Sequence, residues 1–106
     1  RMVVDSGASE TLLDAEIGTA IGIDVVSGVP KKVGGITGST TGYEHRVQIG
    51  LVSLDDVLEV DVIFVLNMGA SGLLGQDTFF SRYDVRFEKR RLKFAVERAP
   101  LLENDF

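Results

Sequence analysis

Val3-Val4-Asp5-Ser6-Gly7-Ala8 is the stretch whose reading decides the rest of the chain. Met2, Val3 and Val4 form a short apolar run, largely β-branched, that suits the end of a buried strand. Asp5, Ser6 and Gly7 then break that run with three turn-forming residues, so a carboxylate stands at the mouth of a strand. On its own the tripeptide reads as a plain strand-ending turn. Just beyond it, Leu12, Leu13, Ile17, Ala20 and Ile21 recur at near-helical spacing. They predict a short helix with Asp14 as N-cap and Gly22 as its C-terminal stop, with Gly18 an unfavourable residue inside it.

Further out the chain turns rich in Val, Thr and Gly. Pro30 to Val33 and Tyr43 to Ile49 predict two strands around Gly34-Gly35-Ile36-Thr37-Gly38, a long hairpin with a supple tip. Leu51 to Leu54 and Leu58 to Leu66 predict strands separated by a turn at Asp55-Asp56, and a loop is expected over Asn67 to Gly72. Gln76 to Tyr83 could wind two helical turns directly after Leu73-Leu74-Gly75. Val85 and Phe87, then Leu92, Phe94 and Val96, alternate on either side of the charged Glu88-Lys89-Arg90-Arg91, which predicts a second hairpin with a solvated tip. The expected architecture is mainly β with one or two short helices, as a single domain over 1–98 and a tail over 99–106.

Composition narrows the chemistry. The 106 residues are 44% hydrophobic and 25% charged, enough for one core but not two. Sixteen acidic residues outnumber eleven Lys and Arg, for a formal charge of −5. Such a chain has no electrostatic reason to seek a nucleic-acid backbone or an anionic membrane. No apolar run approaches the length of a membrane-spanning helix. Cysteine is absent, so thiolate nucleophiles and Cys-ligated zinc are excluded, and His45 as the single histidine leaves His-rich metal sites and a Ser-His-Asp triad poorly supplied. Carboxylate chemistry remains, and no cofactor or metal is expected.

Three ordered blocks then carry a family resemblance. They are Val3-Val4-Asp5-Ser6-Gly7-Ala8, Val33-Gly34-Gly35-Ile36-Thr37-Gly38, and Leu73-Leu74-Gly75-Gln76-Asp77 running on to Phe87. With them the chain resembles the retropepsin-like aspartic peptidases, single-domain relatives of pepsin, and the hairpin after the last block resembles cellular or bacterial members more than viral ones. The resemblance implies a closed β-barrel of the acid protease fold, equivalent to half of pepsin. It also implies an endopeptidase in which Asp5 is catalytic, Ser6 locks two such loops together, and Gly7 lets the backbone approach closely. Ala8, Gly34, Gly35, Ile36, Leu73 and Leu74 are then expected to bind an extended peptide, with Gly34 to Gly38 closing over it as a flap. Because the chain holds one Asp-Ser-Gly, the second carboxylate must come from another copy, and activity requires a homodimer.

The match departs from its family in two places. A β-hairpin normally precedes the catalytic strand, whereas four residues precede Asp5 here; the domain is expected to lack that hairpin and to show an exposed sheet edge. Viral members carry an acid after Asp-[Ser/Thr]-Gly-Ala and an arginine after the apolar-apolar-Gly, where this chain has Ser9 and Gln76, so both charges of an ion pair are missing together. A different class of function, a non-catalytic peptide-binding or dimerisation module or a truncated, inactive protease fragment of the same fold, fits the short N-terminal side.

Other features read more simply as structure. Gly35-Ile36-Thr37-Gly38 has the form of an RNA-clamping Gly-x-x-Gly but lies between strands in an acidic chain, and no Gly-Lys-[Ser/Thr] completes a phosphate loop. Asp55, Asp56, Glu59 and Asp61 lack calcium-loop spacing and read as a surface turn. His45 is expected to be exposed, Tyr43 to pack beneath the hairpin, Phe79 and Phe80 to divide between core and surface, and Tyr83 and Phe87 to join the core.

Overall fold

The computed structural model describes residues 2–5, 7–35, 38–51, 56–69, 71–88, 90 and 93–98. The expected tail over 99–106 and the hairpin-tip residues Ile36 and Thr37 lie outside them. Six strands form one sheet: β1 (Val3–Val4), β2 (Leu12–Asp14), β3 (Val29–Gly35), β4 (Gly38–Leu51), β5 (Asp56–Val65) and β6 (Gly72–Leu74), in the order β1-β6-β2-β5-β4-β3. β7 (Tyr83–Glu88) and β8 (Lys93–Arg98) make a separate antiparallel ribbon. The domain is mainly β, as its alternating apolar residues require.

The expected closed barrel is not seen among the described residues. Among the described residues β1 and β3 each hydrogen-bond one neighbour and stand at opposite edges of the sheet, and a barrel closes only when its edge strands meet. β1 contributes two paired residues, Val3 and Val4.

β5 is the spine of the core. Leu58, Val60 and Val62 point inward in alternation, and Ile63, Phe64 and Val65 are buried in succession where both faces of the strand are covered. Its long antiparallel ladder with β4 runs from Gly42↔Val65 to Leu51↔Asp56. Asp56 therefore opens a strand instead of a turn, and β5 ends at Val65, before the expected Leu66; Asn67 turns the chain there with φ 54°.

The helix is shorter than its apolar spacing suggested. Leu12 and Leu13 belong to β2, where they pair with Leu73 and Gly72 of β6 on one side and with Ile63 and Phe64 of β5 on the other. Helix α1 covers Ala15–Ala20, with Asp14 as its N-cap accepting from the Glu16 N–H at 2.9 Å. Gly22 leaves it at φ +91°. Gly18, unfavourable by propensity, is required by packing: a Cβ there would lie 2.9 Å from Val25 and 3.0 Å from the Phe64 ring. The expected second helix is a single wide turn, Gln76–Phe80, with Phe80 N–H reaching back five residues to Gly75 O, and Tyr83 already begins β7.

Side chains sort themselves around this frame. Phe79 and Tyr83 are buried, Phe80 is half-buried, and the Tyr83 hydroxyl donates to Asp56 at 2.6 Å, tying the ribbon to β5. Phe87 is 56% exposed, contrary to its expected core position: it lies on the ribbon outside the main sheet, and among the rings described it meets only Phe80, stacked, and Phe94, tilted. His45 is half-buried, not exposed: its Nε2–H donates to Val25 O at 2.8 Å and its ring meets Phe64 edge-on at 5.6 Å. Tyr43 packs against the core. Glu59 and Asp61 pair with Arg46 at the surface, at 3.6 and 3.3 Å. No helix among the described residues is long and apolar enough to cross a membrane.

Candidate active site

Asp5 sits where β1 ends against β6. The two strands run parallel, Val3 beside Leu73 and Val4 beside Leu74, and the Asp5 N–H continues the ladder by donating to Leu74 O at 3.0 Å. β6 is thereby held between β1 and β2, and the loop from Asp5 to Thr11 passes around the end of β6 to join them. β6 runs parallel to β1 and antiparallel to β2, so β1 and β2 are antiparallel to each other, with the distant segment 72–74 lying between them. A tight turn cannot reach across that intervening strand, and the loop forms an arch.

Within the arch the half-buried Asp5 carboxylate accepts from the Gly7 N–H at 2.9 Å, and Ala8 N–H donates to Asp5 O at 3.2 Å. Gly7 suits that curl: a Cβ there would lie 3.3 Å from Asp5 Oδ1, tighter than ordinary contact. The far side of the arch is fastened to the residues after β6. Gln76 N–H donates to Ala8 O at 2.8 Å, and Gly75 N–H donates to Thr11 Oγ1 at 3.0 Å. Gly75 is buried so closely that a Cβ would stand 2.9 Å from Ala8 O and overlap the main chain of Glu10. Leu74 is buried in the core and Leu73 half-buried beside it.

The structure thus brings together Asp5, Gly7, Ala8, Leu73 and Leu74. Ser6 and Ile36 lie outside the described residues. Gly34 and Gly35 stand on the far edge strand, paired with Ser39 and Gly38 and separated from β1 in sheet order by β6, β2, β5 and β4. Gly34 is exposed, and a Cβ on it would meet nothing within 4 Å. Thr11 is the residue that reading the sequence missed. It is fully buried, yet a threonine ahead of Leu12-Leu13 carries no motif, and its partner Gly75 is 64 positions away.

A polar cavity of about 160 Å³ lies behind the arch, with Glu10, Thr11, Glu44, Arg46, Asp61 and Arg82 in its wall. Arg46 is already engaged with Asp61 there, so the charges largely answer one another. Among the described residues no group of three or more His, Asp or Glu side chains is placed to hold a metal ion. Glu10 of the arch is exposed, and what the arch offers chemically is one half-buried carboxylate, Asp5, oriented by a main-chain N–H and backed by buried leucine.

The family model described as "gag-polyprotein putative aspartyl protease" matches residues 1–81, from the strand before Asp5 through the helical turn after Gly75. No curated protein and no solved structure matches the chain.

Proposed function

The chain belongs to the gag-polyprotein aspartyl protease family, and from that premise we propose that it is an aspartic endopeptidase whose active site forms between two copies, each bringing its Asp5. The observation that carries this reading is the fixed arch holding a single half-buried carboxylate at the end of a parallel strand pair. One Asp-Ser-Gly per chain supplies half of an acid couple, and a two-fold homodimer supplies the other half.

Two carboxylates brought together retain one proton between them, because adjacent like charges do not both ionise cheaply. The ionised one removes a proton from a water whose oxygen attacks the peptide carbonyl carbon, while the protonated one gives its proton to the carbonyl oxygen. The tetrahedral product then breaks its C–N bond as the amine nitrogen is protonated, leaving an acid and an amine. Ser6 would bridge the two arches, and Gly34, Gly35 and Ile36 at the hairpin tip would cover a peptide laid across Ala8 and Leu73, with the buried Leu74 supporting the Asp5 loop from the core. The β7–β8 hairpin that follows the helical turn supports placing the chain with the cellular type.

Asp5→Asn tests the assignment. It keeps the acceptor for Gly7 N–H while removing the charge, so peptide cleavage should be lost with fold and dimer intact; undiminished cleavage by the purified variant refutes it. A bell-shaped rate profile on the acid side of neutrality is expected of a shared proton, and a flat profile is not.

A further inference from the structure

Three consecutive residues, Leu74, Gly75 and Gln76, each hold the Asp5 arch by one hydrogen bond. Leu74 O receives Asp5 N–H, Gly75 N–H reaches Thr11 Oγ1, and Gln76 N–H reaches Ala8 O. Two of the three join main chain to main chain and survive any ordinary substitution. The third depends on a side chain, and that side chain is fully buried.

Thr11 is anchored in turn. Its own carbonyl accepts from Ile63 N–H at 3.0 Å, in the most deeply buried part of β5. A path therefore runs from the core strand through Thr11 to Gly75, and from the adjoining Leu74 to the Asp5 main chain. We infer that Thr11 is a positioning residue for the Asp5 carboxylate, setting its height and tilt through the Gly75 main chain. The inference rests on the reading of Asp5 as the catalytic acid.

The reasoning is geometric. If the Thr11 hydroxyl is replaced by a methyl, the Gly75 N–H, buried together with Thr11, loses this acceptor. The segment must shift to find another acceptor, and Asp5, hung from the preceding residue, shifts with it. In a two-fold site both carboxylates move at once. A displacement on the order of 1 Å in a reacting group can lower a rate about a hundredfold.

Thr11→Val keeps the shape and removes the acceptor, whereas Thr11→Ser keeps the acceptor and removes a methyl. Both should be compared with wild type and with Asp5→Asn for kcat and KM on one peptide. Circular dichroism and light scattering would match the samples for fold and dimer. Thr11→Val should lower kcat by about ten- to a hundredfold with KM little changed, and Thr11→Ser should recover most of the loss. Hydrogen exchange of the Gly75 amide should quicken in the valine variant and stay near wild type in the serine variant. Should Thr11→Val not fold, Thr11→Cys, with a weak sulfur acceptor, replaces it and is expected to fall between the two.

Wild-type kcat in a folded Thr11→Val enzyme, alongside an inert Asp5→Asn, overturns the role of Thr11 and leaves that of Asp5 standing. A Thr11→Ser variant as slow as the valine one overturns it too, since the loss then follows packing and not the acceptor. Persistent cleavage by Asp5→Asn overturns the underlying reading and the inference together.

Discussion

Gly75→Ala probes how stiff the seam beneath Asp5 is. The backbone at Gly75 has φ −105° and ψ −174°, an extended conformation that alanine adopts freely. On chain entropy alone the substitution would stabilise the fold by about 0.4–1 kcal/mol. Space decides otherwise, because the new Cβ would overlap the main chain of Glu10 and stand 2.9 Å from Ala8 O. These are backbone atoms, and Ala8 O is itself held by Gln76 N–H, so no side chain can swing aside. Opening the seam costs about 1–3 kcal/mol as overpacking. Stretching the hydrogen bonds to Thr11 and Ala8 adds about 1 kcal/mol each. Net of the entropic gain, the variant should lose on the order of 2–5 kcal/mol, from a total of about 5–15 for a domain of this size. Urea unfolding at one fixed protein concentration measures it, since a dimer's midpoint depends on concentration. Gly34→Ala is the matched control: nothing lies within 4 Å of its Cβ position, and a change within about 0.5 kcal/mol is expected. A Gly75→Ala protein as stable as Gly34→Ala would refute the claim that the arch and the segment after β6 are locked together.

Other perturbations have separable outcomes. Phe64→Ala removes a fully buried ring near the end of β5 and should cost about 3–5 kcal/mol in the same unfolding experiment; a loss below about 1 kcal/mol would contradict its place in the core. Asp14→Ala deletes the cap on Glu16 N–H and should cost about 0.5–2 kcal/mol, with Asp14→Asn recovering much of it. Arg46→Ala breaks pairs with Glu59 and Asp61 whose side chains are more than half exposed, so less than about 1 kcal/mol is expected and less again in high salt.

What the sequence disclosed and what it concealed divide along the range of the interactions. Asp14 and Gly22 announce the helix ends because capping and left-handed exits are decided within a few residues. The alternation of Val85 and Phe87 with Phe94 and Val96 announces the ribbon for the same reason. Leu12 and Leu13 mislead, since two adjacent leucines fit a helix face as well as a strand covered on both sides, and only pairing with β5 and β6 selects the strand. Phe87 looks like core by composition, yet its exposure depends on which part of the separate ribbon meets the core, and Val85 and Val96 pack there instead. At the site, the tripeptide at Asp5 and the apolar pair at Leu73-Leu74 were visible as motifs, and the structure joins them in one ladder. Thr11 was invisible because its function is a contact across 64 residues, and His45 became half-buried through a bond to Val25 that no periodicity encodes.

Titrating wild-type protein with Asp5→Asn tests most directly whether a working site draws one carboxylate from each of two chains. With wild type held constant, the two are unfolded and refolded together, and native mass spectrometry verifies that mixed dimers form. A roughly ninefold excess of the variant should then reduce cleavage to about a tenth, because nearly every wild-type chain is paired with an inert partner. Cleavage that stays at its starting level while mixed dimers are abundant would mean that one chain suffices, and would contradict the account.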